Sequence, residues 1–190
     1  MRKQQREAIL ALLEETYMGT ETALNYSTPF ELLVAVIMSA QCTDERVNKI
    51  TARIFPKYNT PEKMGALSQE QLEEEIRDCG LFRSKAKNLL ATCKMLTEEY
   101  NSVIPDTVEE LMKLPGVGKK TANVVASIVY KVPAIAVDTH VFRVSHRLGL
   151  AKGDDPLAVE KELQKAIPKN KWSDAHHWLI WHGRKICKAR

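Results

Sequence analysis

Apolar positions along this chain recur at intervals of three and four, as in Leu89, Leu90, Cys93 and Leu96, and again in Val124, Val125, Ile128 and Val129. That spacing is the period of a helix with one face turned to a core. Helix starts are marked repeatedly. Thr28-Pro29-Phe30-Glu31 joins an N-cap threonine, a proline at the first helical position and a glutamate three residues on, ahead of an apolar run that predicts a buried helix ending near Ala40. Thr60-Pro61 opens another helix, Ser68 with Gln71 and Asp106 with Glu109 read as capping boxes, and Asp155-Pro156 begins a late one. The one strand-like stretch, Val132 to Val137, contains a proline and has no partner strand elsewhere. The pattern predicts an all-α fold with short connections and no internal repeat. The extended passage 132–138 is the candidate boundary between a long helical block and a shorter C-terminal one.

With 190 residues, 44% apolar and 27% charged, the chain can bury one sizeable core or two small ones. Its longest apolar run, Leu32 to Met38, has seven residues, about a third of the roughly 20 that a membrane-spanning helix needs. The N-terminus, MRKQQREAIL, has no apolar stretch of the kind a secretion signal requires, so the expected location is cytoplasmic and no membrane partner is expected. Four cysteines, at 42, 79, 93 and 187, contain no C-x-x-C pair and define neither a disulfide framework nor a complete metal site. Net charge is only +4, but its distribution is uneven. Between Leu111 and Lys152 lie seven basic residues and a single acid, Asp138. A basic zone of this kind suits a polyanion, or is a lysine-rich solvated surface.

Within that zone, Leu114-Pro115-Gly116-Val117-Gly118-Lys119-Lys120-Thr121-Ala122 lies between two helical segments. Two glycines one residue apart, just before a helix, make a hairpin whose backbone can approach a phosphate, with the free N–H groups and the positive end of the helix dipole attracting the anion. Gly116, Val117, Gly118 and Lys119 are the candidate contacts. The spacing is not that of a nucleotide P-loop, and no strand precedes it, which disfavours a nucleotide cofactor. A ligand-free helix–helix turn is the alternative.

Lys120 falls in the first turn of the following helix, where the dipole and Lys119 both disfavour a second positive charge. A neutral lysine there is a nucleophile, whereas a protonated one is a phosphate ligand. Asp138, in Ala136-Val137-Asp138-Thr139-His140-Val141-Phe142-Arg143, is an N-cap by position, and a carboxylate so held is also able to relay a proton or stabilise a cation. His140 and Arg143 fall a turn apart on one face, suited to phosphates.

These segments together resemble the helix-hairpin-helix DNA glycosylase superfamily, and endonuclease III-like DNA glycosylase/AP lyases in particular. The resemblance is carried by LPGVGKKTANVV at 114–125, AVDTHVFRVSHRLGL at 136–150, LLVAVIMSAQCTD at 32–44 and GLFRSKA at 80–86. It implies a base excision repair enzyme that acts on double-stranded DNA with oxidised or damaged pyrimidines or abasic sites, removing the base and cutting the strand by β-elimination through a lysine Schiff base. Lys120 matches the family's nucleophile and Asp138 its essential aspartate. Mismatch glycosylases that only remove bases lack such a lysine. Gln41 is then expected to fill the space left by the extruded nucleotide, Leu81 to wedge into the stack, and Arg83, Lys85 and Lys87 to meet phosphates. In the bland alternative, Gln41 caps carbonyls and Leu81 packs as a staple.

The resemblance further implies two helical domains with a DNA-binding cleft between them: residues 22–132 with the hairpin, and 1–21 plus 133–190 as a truncated iron–sulfur cluster domain. The family holds a [4Fe-4S] cluster in a C-x6-C-x2-C-x5-C loop. Here only Cys187 matches a ligand position, three of the four cysteines being absent, so the expectation is a chain without the cluster and with weakened DNA binding. Action as a monomer is expected, with association to the nucleoid if the source is bacterial.

Overall fold

The structure is a computed structural model and describes residues 2–190. Among the described residues it is all helical, without a strand. In chain order the helices are α1 (Lys3–Tyr17), α2 (Pro29–Met38), α3 (Asp44–Ile54), α4 (Pro61–Gly65), α5 (Gln69–Glu75), α6 (Phe82–Glu99), α7 (Val108–Leu111), α8 (Lys119–Tyr130), α9 (Thr139–Arg147), α10 (Pro156–Ala166) and α11 (Trp172–Lys185). A 3-10 turn, Lys169–Lys171, leads into α11. Among the described residues no helix is long and apolar enough to cross a membrane.

Local chemistry explains where these helices begin. Thr28 accepts from the Glu31 N–H at 3.1 Å, and Glu31, itself buried, reaches back to the Ser27 N–H at 2.6 Å, so two amides at the start of α2 are satisfied together. Ser68 and Gln71 form the reciprocal pair expected at α5, and Thr60 and Asp155 cap α4 and α10. At α7 the cap is displaced by one position from expectation. Thr107, not Asp106, accepts from the Glu110 N–H. Either side chain is a competent cap, and the neighbouring register prevails.

The chain forms two compact units, Met1–Thr22 with Lys131–Arg190, and Ala23–Tyr130. At the centre of the second unit is α2, buried at every position from Phe30 to Met38 and packed by α3, α6 and α8. A helix apolar on all sides needs neighbours all round. The long α6 turns Lys85, Ala86, Leu89, Thr92, Cys93 and Leu96 inward, one face at helical spacing, against α2, α4 and α5. In the first unit α11 packs on α1 and α9, around Leu13, Tyr17, Val141, Val144, Leu163, Trp178 and Leu179. The Trp181 indole N–H donates to the Glu21 carbonyl at 3.0 Å, and Lys171 pairs with Glu14 at 2.5 Å.

Two histidines of α11 make this unit sensitive to acid. Burial lowers the pKa of His177 below the ordinary 6.5, with Lys131 and Arg184 acting in the same direction against Asp174 and Glu21, and burial lowers that of His182 as well. The unfolded chain therefore binds more protons than the folded one just below pH 6.5. Stability from this source is complete above that value and is lost as pH falls through it toward the lowered values. Denaturant midpoints measured at constant ionic strength are expected to fall as pH drops from about 7.5 to about 5.5, and to fall less in His177→Gln. An unchanged slope in that variant would contradict the assignment.

Candidate functional site

The hairpin between α7 and α8 is assembled from its turn outward. The Leu114 N–H donates to the Leu111 carbonyl and the Val117 N–H to the Leu114 carbonyl, both at 3.1 Å. Gly116 sits at φ +78°, a region that costs other residues about 1–2 kcal/mol. A Cβ there would also lie 2.9–3.1 Å from the side chain of Asn88. Leu114 and Val117 bury their side chains, and Thr92 on α6 donates to the Pro115 carbonyl at 2.9 Å. Tyr100 donates to Glu110 at 2.7 Å, and Tyr130, at the end of α8, to the Ile104 carbonyl. The segment is thus clamped to α6 and to the loop before α7.

Within it the expected contacts separate. Gly116 supplies the bend. Val117, expected at the interface, has its side chain inside and its amide in the turn, because closing the hairpin requires both. Gly118 has no positive φ; its backbone is exposed, with open space where a Cβ would stand. Lys119 and Lys120 are both exposed at the first turn of α8, whose leading N–H groups lack intrahelical acceptors.

A second constellation in the same unit comes from two turns far apart in sequence. Gln41, after α2, and Leu81, immediately before α6, are both exposed and both have positive φ, 52° and 59°. The two turns touch at Gly80, where a Cβ would lie 2.9 Å from the Gln41 carbonyl oxygen. Lys85, expected to meet phosphates, does not face solvent. It is 4% exposed, with Nζ donating to the Met38 and Ala40 carbonyls at 2.7 and 2.6 Å and lying 3.2 Å from Cys79 Sγ. The C-terminal carbonyls of α2 need donors, and α6 delivers this one. Burial pushes the Cys79 thiol pKa up, and Lys85 partly opposes that. Arg83 and Lys87 remain exposed.

In the other unit Asp138 caps α9, its Oδ1 accepting from the Val141 N–H at 2.7 Å, which fixes the orientation of the carboxylate. Arg143, expected to meet phosphates, is engaged by its own chain. Its guanidinium donates to the Gly183 carbonyl, in the last turn of α11, at 3.0 Å and twice to the Cys187 carbonyl just beyond the helix, at 2.8 and 3.2 Å. It also donates to His140 Nδ1 at 3.2 Å. Arginine only donates, so Nδ1 is the acceptor and the proton of a neutral His140 sits on Nε2. Arg147 continues the same work, reaching Cys187 Sγ at 3.3 Å and the Lys188 carbonyl at 2.7 Å. These two arginines read from sequence as free cations because their partners lie some forty residues away.

Residues 34–169 match the family of HhH-GPD superfamily base excision DNA repair proteins. Over 190 residues the chain is 50% identical to endonuclease III of Rickettsia prowazekii, covering all of this chain and 90% of that one. The chain belongs to the endonuclease III family. It is also 50% identical over 187 residues to endonuclease III of Bacillus subtilis, covering 98% of this chain and 85% of the relative. Among solved structures, a trapped endonuclease III–DNA covalent intermediate in an estranged-adenine complex superposes with a TM-score of 0.96 at 52% identity, covering 100% of this chain and 90% of that one. The two glycines of the hairpin have different tasks, Gly116 at a positive φ against Asn88 and Gly118 in open space. Gly116→Ala is expected to destabilise this chain by about 1–2 kcal/mol, whereas Gly118→Ala should stay within about 1 kcal/mol of the parent. Urea denaturation checks both, and equal losses would contradict the division.

Proposed function

We propose that this chain is a bifunctional DNA N-glycosylase and abasic-site lyase of base excision repair, acting on double-stranded DNA that carries damaged pyrimidines. The observation that carries this reading is the exposed Lys120 in the first turn of α8, behind the clamped hairpin, in a chain so similar to a protein trapped covalently on DNA. The Lys120 amine attacks C1′ of an everted nucleotide, and the C1′–N bond to the base breaks. The C1′–O4′ bond of the adduct then opens, the nitrogen losing its proton and O4′ gaining one, and the resulting imine acidifies the C2′ proton. Its loss drives rupture of the C3′–O bond, leaving a nicked strand. Asp138 supplies the countercharge for the sugar cation that develops as the base departs, its carboxylate pre-oriented by the Val141 amide.

The remaining residues fall into supporting tasks. Gly118 and Lys119 meet a phosphate at the start of α8, while Gly116 and Val117 hold the backbone that does so. Gln41 fills the space left by the everted nucleotide, and Leu81 wedges into the adjacent stack. His140 offers its Nε2 proton to a phosphate, and Arg143 holds His140 and the Cys187 segment in place. Oxidised pyrimidines are the lesion class that follows from the family. The chain works as a monomer in the cytoplasm, associated with the nucleoid if its source is bacterial.

A [4Fe-4S] cluster takes four cysteine thiolates, and residues 1–190 do not fit one. Cys187 lies in one unit, while Cys42, Cys79 and Cys93 belong to the other, the last two buried in its core. No step of the reaction runs through such a group. Purified residues 1–190 are expected to contain far less than one cluster per chain by iron and acid-labile sulfide assay. A full complement of four irons would overturn this.

Borohydride reduces the imine to a stable amine, so the protein should be captured on a duplex containing an abasic site. Lys120→Ala is expected to abolish the adduct. Asp138→Asn retains a good cap and should keep the parent's stability while slowing base removal by about 100-fold or more. A Lys120→Ala variant that still forms the adduct would refute the mechanism.

A further inference from the structure

Gln41 and Leu81 each occupy a left-handed backbone conformation that disfavours side chains by about 1–2 kcal/mol. Something must impose it on both. The turns that carry them meet at Gly80, and what lies beneath the junction is one nitrogen. Lys85 Nζ donates to the carbonyls of Met38 and Ala40, three residues and one residue before Gln41, and contacts Cys79 Sγ, two residues before Leu81. An ammonium has three N–H bonds, and here each finds one partner. The Cys79 thiol adds its own contact to the Met38 carbonyl at 3.4 Å. Neither carbonyl group comes from an element next to Lys85 in sequence, so this nitrogen is a cross-link between the exit of α2 and the entrance of α6.

We propose that Lys85 is a positioning residue for strand entry: its buried amine locks the two turns together, so that Gln41 and Leu81 meet the duplex as a single rigid wedge. The inference rests on the roles proposed above for Gln41 and Leu81. Ordering two loops only on contact with DNA would cost entropy at the step in which a nucleotide leaves the stack. Holding them beforehand removes that cost from the encounter. Lys85 touches no substrate and takes no part in the covalent steps, so its loss should appear only where a helix has to be opened.

Lys85→Met keeps the length and apolar stem of the side chain while deleting its donors. Two substrates separate opening from chemistry: a duplex with an oxidised pyrimidine, and a single-stranded oligonucleotide carrying a preformed abasic site. On the duplex, kcat/KM for base release is expected to fall about 10- to 100-fold. Borohydride capture on the single strand should stay within about two-fold of the parent, a factor worth less than half a kcal/mol. 2-Aminopurine placed opposite the lesion should show a smaller fluorescence rise on binding. Gly80→Ala spreads the same two turns while leaving Lys85 intact, and should give the same split; it carries the test if Lys85→Met does not fold. Equal losses on both substrates, or no loss on the duplex, overturn the positioning role. A parent protein that captures neither substrate overturns that role and the lyase reading together.

Discussion

A helix ends in carbonyls, and begins in amides, that its own ladder cannot satisfy, and each segment of this molecule with a candidate function is placed by the way one such end is met. Lys85 reaches the end of α2, Arg143 reaches the end of α11, Arg147 holds the segment that follows it, and Asp138 closes the start of α9. The start of α8 differs. Its first turn follows a glycine with open space around it and carries two exposed lysines.

This constraint ties stability to chemistry. The hairpin before α8 is held by the Leu114 and Val117 amides, the Pro115 carbonyl and the two buried apolar side chains, so a lysine one turn further on sits on a fixed base. An amine that attacks a sugar carbon gains most when its starting point needs no search. The same holds for Asp138, whose carboxylate is oriented by an amide it would bind as a cap in any case. Capping and catalysis are compatible demands on one side chain, which is why position alone does not distinguish them.

Local rules made most of the fold legible. Thr28, Thr60, Ser68 and Asp155 cap through contacts three residues along the chain, which is the range over which sequence patterns speak directly. Thr107 displaced Asp106 because both rules applied one residue apart. The bend at Gly116 was readable, since only a turn explains glycines at that spacing before a helix. What the pattern did not reveal were contacts at long range. Lys85 and Arg143 look like surface cations in a basic stretch, yet their partners lie 40 to 50 residues away. Nothing within a window of a few turns marks a lysine whose acceptors arrive from another helix end. The pairing of Gln41 with Leu81 was hidden for the same reason, although Gly80 was a signal, as a glycine just before a helix start.

In the proposed reaction one amine, on Lys120, forms the bond to DNA. Its most direct test is to locate that bond: capture the protein with borohydride on an abasic duplex, digest both components and find by mass spectrometry which residue carries the sugar remnant. The remnant is expected on Lys120 Nζ alone. A remnant on Lys119, or on any residue outside the first turn of α8, would contradict it.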